Sequence, residues 1–279
     1  EDNRVRKLDY SIQISKLFYE RFIKDEDITL FSPHDVPGLY EAFGMDEFDE
    51  MYEMYERKTS ISKTKIRAQE LIGALLKERA ETGRIYIMNI DHCNTHSSFK
   101  DKVYMSNLCQ EITLPTTPLD HIDDTKGEIA LCILSAINLG LIRDKDELEG
   151  LCDLSVRALD EIIDYQEYPI EAARISAESR RSLGIGYIGL AHFLAKNHVK
   201  YDDKEALTLV DEITEAFQYY LLKASNTLAV EKGKCEYFEK TKYSDGILPI
   251  DTYKKDLDKI VKRKLSYDWK QLRKDIQEH

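Results

Sequence analysis

The apolar residues of the N-terminal stretch recur at approximately helical spacing, namely Leu8, Ile12, Leu17, Phe18 and Phe22. This pattern predicts an amphipathic helix that ends near Lys24. The segment Asp25–Gly44 follows, and its two prolines and two glycines predict a loop. A second helix is predicted from about Ser60 to Thr82, where Gly83 is placed to end it.

The pattern then changes to short stretches rich in β-branched and aromatic residues. Arg84–Ile90 is predicted to be a strand, and Cys109–Leu114 and Ile129–Leu134 are two further strand candidates. Strands that alternate with helices favour an α/β architecture, although helix dominates the count.

Helical spacing returns from Asp144 to Tyr165. One face of this predicted helix carries five apolar residues, namely Leu148, Cys152, Val156, Leu159 and Ile163. Pro169 can open the next helix, and Tyr201–Lys232 predicts another long one. Because no repeat, low-complexity tract or linker interrupts the pattern, we predict a single domain, or part of one, over residues 1–279.

Composition narrows the class of protein. The 279 residues are 42% hydrophobic and 33% charged, which is typical of a globular protein with a substantial core. A formal net charge of -12 argues against binding a nucleic-acid backbone, which requires clustered Lys and Arg. The longest weakly polar run, Leu183–Ala195, is shorter than the roughly 18 to 20 residues that span a bilayer. Five cysteines without a C-x-x-C pair favour a reducing, cytoplasmic setting over a disulfide-rich secreted protein.

The segment Ser106–Glu111 holds the most informative chemistry. In an extended chain, alternate side chains face the same way at about 6.6 to 7 Å intervals, so Asn107, Cys109 and Glu111 are expected to share one face. That face would present an amide, a thiol able to act as a nucleophile or carry a radical, and a carboxylate able to act as a base. A strand with one polar face and a buried structural cysteine is the alternative that spacing alone leaves open.

Ser106–Glu111, followed by an apolar stretch and Pro115, resembles the finger-loop motif of the large subunit of class I ribonucleotide reductases. Further blocks similar to that family occur in the expected order, namely Ile28–Phe43, Thr82–His96, Gly127–Gly140, Leu159–Pro169 and Gly246–Leu257. The resemblance thus covers essentially the whole chain. It implies part of a helix-rich, ten-stranded α/β barrel with the finger loop at its centre. The implied reaction is reduction of ribonucleoside diphosphates to the deoxy form for DNA synthesis.

The resemblance also implies a role for each matching residue. Cys109 corresponds to the cysteine whose thiyl radical takes the 3′ hydrogen of the ribose, and Glu111 to the base that handles the 3′-hydroxyl proton. Asn107 corresponds to the amide that binds substrate and holds the ketyl intermediate, while Ser106 and Leu108 complete the substrate-binding segment. Cys132 corresponds to one member of the redox-active pair, whose partner has no counterpart here.

Arg84 and Tyr86 correspond to positions near the radical-transfer route of the family. The alternative is that Tyr86 only packs against its neighbours, as a tyrosine on a strand usually does.

The resemblance implies no metal or cofactor bound by this chain. It implies a small subunit that supplies the radical from a metal centre, thioredoxin- or glutaredoxin-type reductants, and the remaining segments of the large subunit. The ATP/dNTP effector region and the C-terminal cysteine tail would lie outside residues 1–279. The unusual start at Glu1–Lys7 likewise suggests a piece of a longer chain.

Several other signals are given no catalytic role. Gly184–Gly189 satisfies G-x-G-x-x-G, but the preceding Glu178–Leu183 does not look like the strand that a dinucleotide site needs. His92, Cys93 and His96 have ligand chemistry, yet no second cluster completes a metal site, and a loop is expected there. Cys235 is expected in an exposed loop.

Tyr219–Tyr220 is expected on an amphipathic helix, with one tyrosine buried and the other half-buried. The loop Ser97–Met105, which precedes the finger-loop motif, is shorter than in related bacterial sequences of the family. Tyr104–Met105 stands where a basic and a polar residue are common. A second hypothesis for the whole chain is a noncatalytic assembly piece of a split reductase subunit, inactive without its flanking fragments.

Overall fold

A computed structural model describes residues 7–259 and 264–279 of the chain, so most of the unusual Glu1–Lys7 start lies outside the described residues. The chain divides into two compact units. The first comprises Glu1–Ser97 and Lys102–Pro115, and the second comprises Ser98–Asp101 and Thr116–His279. The prediction of a single domain over residues 1–279 stays a prediction.

The first unit contains four strands and five helices among its described residues. These are β1 (Tyr10–Ile14), α1 (Lys16–Lys24), β2 (Asp27–Phe31), α2 (Leu39–Ala42), α3 (Phe48–Arg57), β3 (Lys63–Arg67), α4 (Ala68–Thr82), β4 (Ile85–Asn89) and α5 (Ile90–His96). Strands β1 and β4 pair in parallel, with Ser11 opposite Tyr86, whereas β2 and β3 pair antiparallel. A parallel pair needs a long crossover connection, which the intervening elements supply.

The core of this unit is built mainly from α1, α2 and α3. Its buried side chains are Leu17, Val36, Leu39, Ala42, Phe48, Tyr52 and Tyr55. Tyr52 is buried with its hydroxyl satisfied, since it donates to Thr29 O at 2.7 Å and accepts from Thr29 N at 2.7 Å. Those bonds connect the helical core to the antiparallel pair of β2 and β3.

Sequence predictions for the first unit were partly right. The strand predicted at Arg84–Ile90 is confirmed as β4, and Gly83 ends α4 with a left-handed φ of +67°. The helix predicted up to Lys24 is wrong in its first half, which forms β1 instead. The helix predicted from Ser60 is wrong up to Arg67, and the predicted loop Asp25–Gly44 contains β2. Each error involves a strand whose partner is distant in sequence, and such pairing leaves no local pattern.

The second unit contains two strands and five helices among its described residues. These are β5 (Ile133–Asn138), α6 (Lys145–Tyr165), α7 (Glu171–Arg180), β6 (Leu183–Ile188), α8 (Leu190–Lys196), α9 (Lys204–Lys232) and α10 (Trp269–Glu278). Strands β5 and β6 pair in parallel, and one core of the unit packs residues of β5 against α6 and α9.

Helix α6 confirms the clearest sequence pattern. All five residues of its predicted apolar face are buried, and the Asp144 side chain caps its N-terminus by accepting from Glu147 N at 2.8 Å. Helix α9 confirms the helix predicted at Tyr201–Lys232, although it begins at Lys204. The strand predicted at Ile129–Leu134 lies a few residues later, and Gly184–Gly189 forms most of β6 and the N-cap of α8.

The predicted α/β, helix-rich fold class is confirmed. Among the residues that the structure describes, the six strands form three two-stranded sheets, and no barrel closes. This is the arrangement expected of part of a barrel. No helix in the described ranges is both long and apolar enough to cross a membrane.

Candidate functional site

The segment predicted to carry the chemistry is a tight turn in the first unit. Gln110 N donates to Asn107 O at 3.1 Å, and Gln110 adopts a left-handed φ of +69°. The strand predicted at Cys109–Leu114 is therefore wrong, and so is the alternating face that was to place Asn107, Cys109 and Glu111 together. Asparagine favours the first position of such turns.

Two short polar side chains close the loop Ser106–Ile112. The Oδ1 atom of Asn107 accepts from Ile112 N at 3.0 Å, and the Ser106 hydroxyl lies 3.1 Å from the same oxygen. Ser106 Oγ is also 2.7 Å from Ile112 O, to which it can donate. Side-chain to backbone bonds of this kind replace the ladder bonds of a strand.

Strand β1 fixes the position of this loop within the first unit. Gln110 Nε2 donates to Ser11 Oγ at 2.7 Å, and Gln13 Nε2 donates to Tyr104 O at 2.7 Å. Ser11 and Gln13 are alternate residues of β1 and therefore lie on one face of the strand. The sequence does not predict these contacts. The two glutamines are the only indication in the sequence, and glutamine side chains make hydrogen bonds in many other settings.

Tyr86 lies beside Ser11 in the β1–β4 register and reaches Cys109. The pKa of Tyr86 is raised, first by the neighbouring Cys109 side chain, with smaller contributions from burial, Asp9 and Glu111. Tyr86, Cys109 and Glu111 thus lie within electrostatic reach of one another.

Exposure of the loop allows access to these groups. Asn107, Cys109 and Glu111 are exposed, Leu108 is 45% exposed, and Ser106 is half-buried. Arg84 is half-buried two residues before Tyr86, and its carbonyl accepts from Tyr10 N at 2.9 Å. An exposed thiol near an exposed carboxylate can exchange a hydrogen atom or a proton with a bound ligand.

Cys132 lies in the second unit, immediately before β5, and is half-buried. Burial raises the pKa of its thiol. Its side chain packs over Gly184 of β6, where an added Cβ would lie only 2.8 Å from Sγ and 2.4 Å from Leu134 Cδ2. The glycine thus provides the space that this cysteine occupies.

The other cysteines have structural surroundings. Cys152 is fully buried on α6, and burial raises its pKa to about 12. Cys235 was expected in an exposed loop, but it is half-buried and burial raises its pKa. Cys93 and its neighbours His92 and His96 were expected in a loop but lie on α5, where the two imidazole rings are 5.5 Å apart. No group of three or more His, Cys, Asp or Glu suited to a metal occurs in the described ranges.

Two further features lie apart from the predicted site residues. A mostly apolar cavity of about 450 Å³ in the first unit is lined by residues of β1, β2, the helices around them and α4, and by none of the predicted site residues. On α9, Tyr219 and Tyr220 are both half-buried, and Tyr219 stacks on Tyr267 at 4.5 Å. The predicted helical packing role is confirmed, but neither tyrosine is fully buried.

Comparison with known proteins gives a consistent family. The family model described as ribonucleotide reductase, barrel domain, matches residues 1–279. The chain is 59% identical to the ribonucleoside-diphosphate reductase subunit alpha of Haemophilus influenzae and 57% identical to ribonucleoside-diphosphate reductase 1 subunit alpha of Escherichia coli, over 100% of its own length. It is 43% identical to the subunit alpha of Enterobacteria phage T4 over 99% of its length. In each case it spans 37% of the relative.

Proposed function

The chain belongs to the ribonucleotide reductase barrel-domain family, and on that premise we propose that it supplies the radical cysteine of an enzyme that reduces ribonucleoside diphosphates to 2′-deoxyribonucleoside diphosphates. The observation that carries the proposal is the closed, exposed turn that presents the Cys109 thiol between the exposed side chains of Asn107 and Glu111. The setting would be the cytoplasm.

Each side chain has a defined task in this reaction. The Cys109 thiyl radical takes the 3′ hydrogen atom of the ribose, and Glu111 accepts the 3′-hydroxyl proton, which eases loss of the 2′-hydroxyl as water. Asn107 binds the substrate and holds the ketyl intermediate. Ser106 supports that amide within the loop, and Leu108 adds apolar contact.

Cys132 and a partner cysteine outside this chain supply the two electrons. Their thiols are oxidised to a disulfide as the sugar is reduced, and Cys109 finally returns a hydrogen atom to C3′. The balance is one ribonucleotide and two thiols to one deoxyribonucleotide, one disulfide and one water. Thioredoxin- or glutaredoxin-type proteins then reduce the disulfide by thiol exchange.

Two partners complete the proposal. A small subunit with a metal centre supplies the radical, and we assign to Tyr86, with Arg84 two residues before it, a part in its arrival at Cys109. The remaining segments of the large subunit complete the site and carry the ATP/dNTP effector sites. A noncatalytic assembly role is not favoured, because the relatives that match the full chain are named as reductase subunits.

The test is Cys109→Ser in the complete large subunit, assayed with the small subunit for deoxynucleotide formation. We expect turnover to be abolished while nucleotide binding is retained, since a serine hydroxyl does not form an equivalent radical. Cys93→Ser on α5 is the matched control and is expected to keep turnover. Turnover by the Cys109→Ser variant would overturn the proposal, and inactivity of the complete wild-type assembly would favour the assembly role.

A further inference from the structure

Arg180 is a buried arginine at the end of α7, with only 3% of its side chain exposed. Its Nε donates to Glu128 at 2.6 Å, and its Nη2 donates to Glu128 at 3.0 Å and to Asp101 at 2.8 Å. The guanidinium carbon lies 5.2 Å from the ring centroids of Phe99 and of Tyr237. The Arg180 guanidinium thus binds two carboxylates and also lies close to two aromatic rings.

The two carboxylates occupy special positions along the chain. Asp101 is the last residue before the chain leaves the second unit, and Glu128 follows its return at Thr116. Both ends are also fixed by backbone bonds within the second unit. Lys100 N donates to Lys240 O at 2.8 Å, and Thr117 and Glu128 exchange N–H···O bonds of 3.1 and 3.0 Å. Segment 102–127, which includes the loop Ser106–Ile112, therefore begins and ends at the Arg180 guanidinium.

Stability alone is a poor explanation for this arrangement. Bringing the charges of Arg180 and Glu128 out of water costs several kcal/mol per ion, and apolar side chains of similar volume often serve stability as well or better. The three charged side chains instead fix local geometry, because the planar guanidinium sets the angle and spacing of the carboxylates that it binds. Fixing the two ends also restricts the conformations of the chain between them.

We propose that Arg180 is a positioning residue that holds both ends of segment 102–127 and thereby restricts the conformations of this segment, which carries Cys109. The catalytic consequence rests on the proposed function, whereas the positioning does not. A lysine at position 180 keeps the charge, but its single ammonium does not reproduce the three directed bonds to two separate carboxylates.

Arg181 provides a matched control in the neighbouring position. It also binds two carboxylates, with 2.5 Å from Nε to Asp160 Oδ1 and 2.8 Å from Nη1 to Asp164 Oδ1. Both of these carboxylates lie on α6, so Arg181 does not join the ends of segment 102–127. If each arginine contributed only to the stability of the fold, Arg180→Lys and Arg181→Lys would have similar effects on hydrogen exchange and turnover.

The experiment uses the complete large subunit and measures peptide-resolved hydrogen exchange, the rates of alkylation of Cys109 and Cys93, and turnover with the small subunit. For Arg180→Lys we expect exchange in 102–127 to accelerate by about tenfold, with a changed Cys109 rate and an unchanged Cys93 rate. We also expect kcat to fall by about tenfold with a smaller change in KM. Arg181→Lys is expected to leave all of these near wild type.

Equal effects of the two substitutions, or unchanged exchange in 102–127, would overturn the proposal. Asp101→Asn removes one end of the clamp at a partly exposed residue and gives the same test should Arg180→Lys fail to fold. Hydrogen exchange needs no turnover, so an inactive wild-type enzyme would count against the proposed function and leave this test intact.

Discussion

Cys109 and Cys132 have contrasting surroundings, one in each unit of the chain. Cys109 is exposed on a turn that side-chain amides and a hydroxyl hold in place. Cys132 is half-buried beside a parallel strand pair and packs against a glycine. Hydrogen bonds fix the turn that carries Cys109, whereas the space left by a glycine without a side chain accommodates Cys132.

The difference suits two kinds of sulfur chemistry. The hydrogen-atom exchange proposed for Cys109 needs a thiol that a ligand can reach, and Cys109 is exposed. The disulfide formation proposed for Cys132 needs a thiol that stays protonated until it reacts, and burial raises the pKa of Cys132 in that direction, because the thiolate is the reactive form. The experiments below disturb each environment separately.

The largest effect is expected from Gly184→Val, because its side chain would overlap Cys132 Sγ and Leu134 Cδ2. We expect the free energy of local opening of β5 and β6, measured by hydrogen exchange, to fall by about 1–3 kcal/mol. Gly186→Val on the same strand is the control, since an added Cβ there meets nothing within 4 Å. Equal losses in both variants would show that strand preference, not the space for Cys132, decides the cost.

A smaller effect is expected from Asn107→Ala, which removes the oxygen that accepts from Ile112 N. The protection of the Ile112 amide against hydrogen exchange should fall by about 1 kcal/mol, the usual net value of one such bond. Asn107→Asp keeps an acceptor oxygen and should preserve the protection. If the aspartate variant loses as much as the alanine variant, the side chain does not close the loop.

The smallest effect concerns the pH dependence of Cys132. Because burial raises its pKa, the folded chain keeps this proton at pH values where the unfolded chain has lost it. The contribution of this proton to the free energy of unfolding is fully present below the ordinary thiol pKa of about 8.5. It is lost as the pH rises through the raised pKa of Cys132 in the folded chain. Peptide-resolved alkylation of Cys132 against pH should show a midpoint above that of an unstructured cysteine peptide, and a midpoint at or below it would contradict the assignment.

The sequence predicted best those elements whose pattern is local. The α6 face from Leu148 to Ile163 repeats over several turns, and Gly83 marks a helix end that only a left-handed residue completes easily. Strand β3, with the largely polar sequence of Lys63–Arg67, exists because it pairs with β2, and nothing within its own sequence predicts that. The same reason explains why the sequence predicts a helix at Tyr10–Ile14, where the structure has β1 paired with the distant β4.

The resemblance predicts that Asn107, Cys109 and Glu111 belong to the site, and their roles stay predictions. The geometry expected from their spacing is wrong. The side chain of Asn107 closes a turn, and Cys109–Leu114 does not pair with any strand in the described ranges, so no extended face forms. The contacts from Ser11, Gln13 and Tyr86 are distant in sequence, so only the fold reveals them.

The closed loop also limits what Asn107 can recognise. An amide oxygen has two lone pairs, and within the loop Ile112 N–H uses one while the Ser106 hydroxyl lies in reach of the other. The two N–H groups of the same amide take no part in that closure. These N–H groups can donate to a ligand oxygen that accepts hydrogen bonds, and such bonds grow stronger as the accepting oxygen gains negative charge.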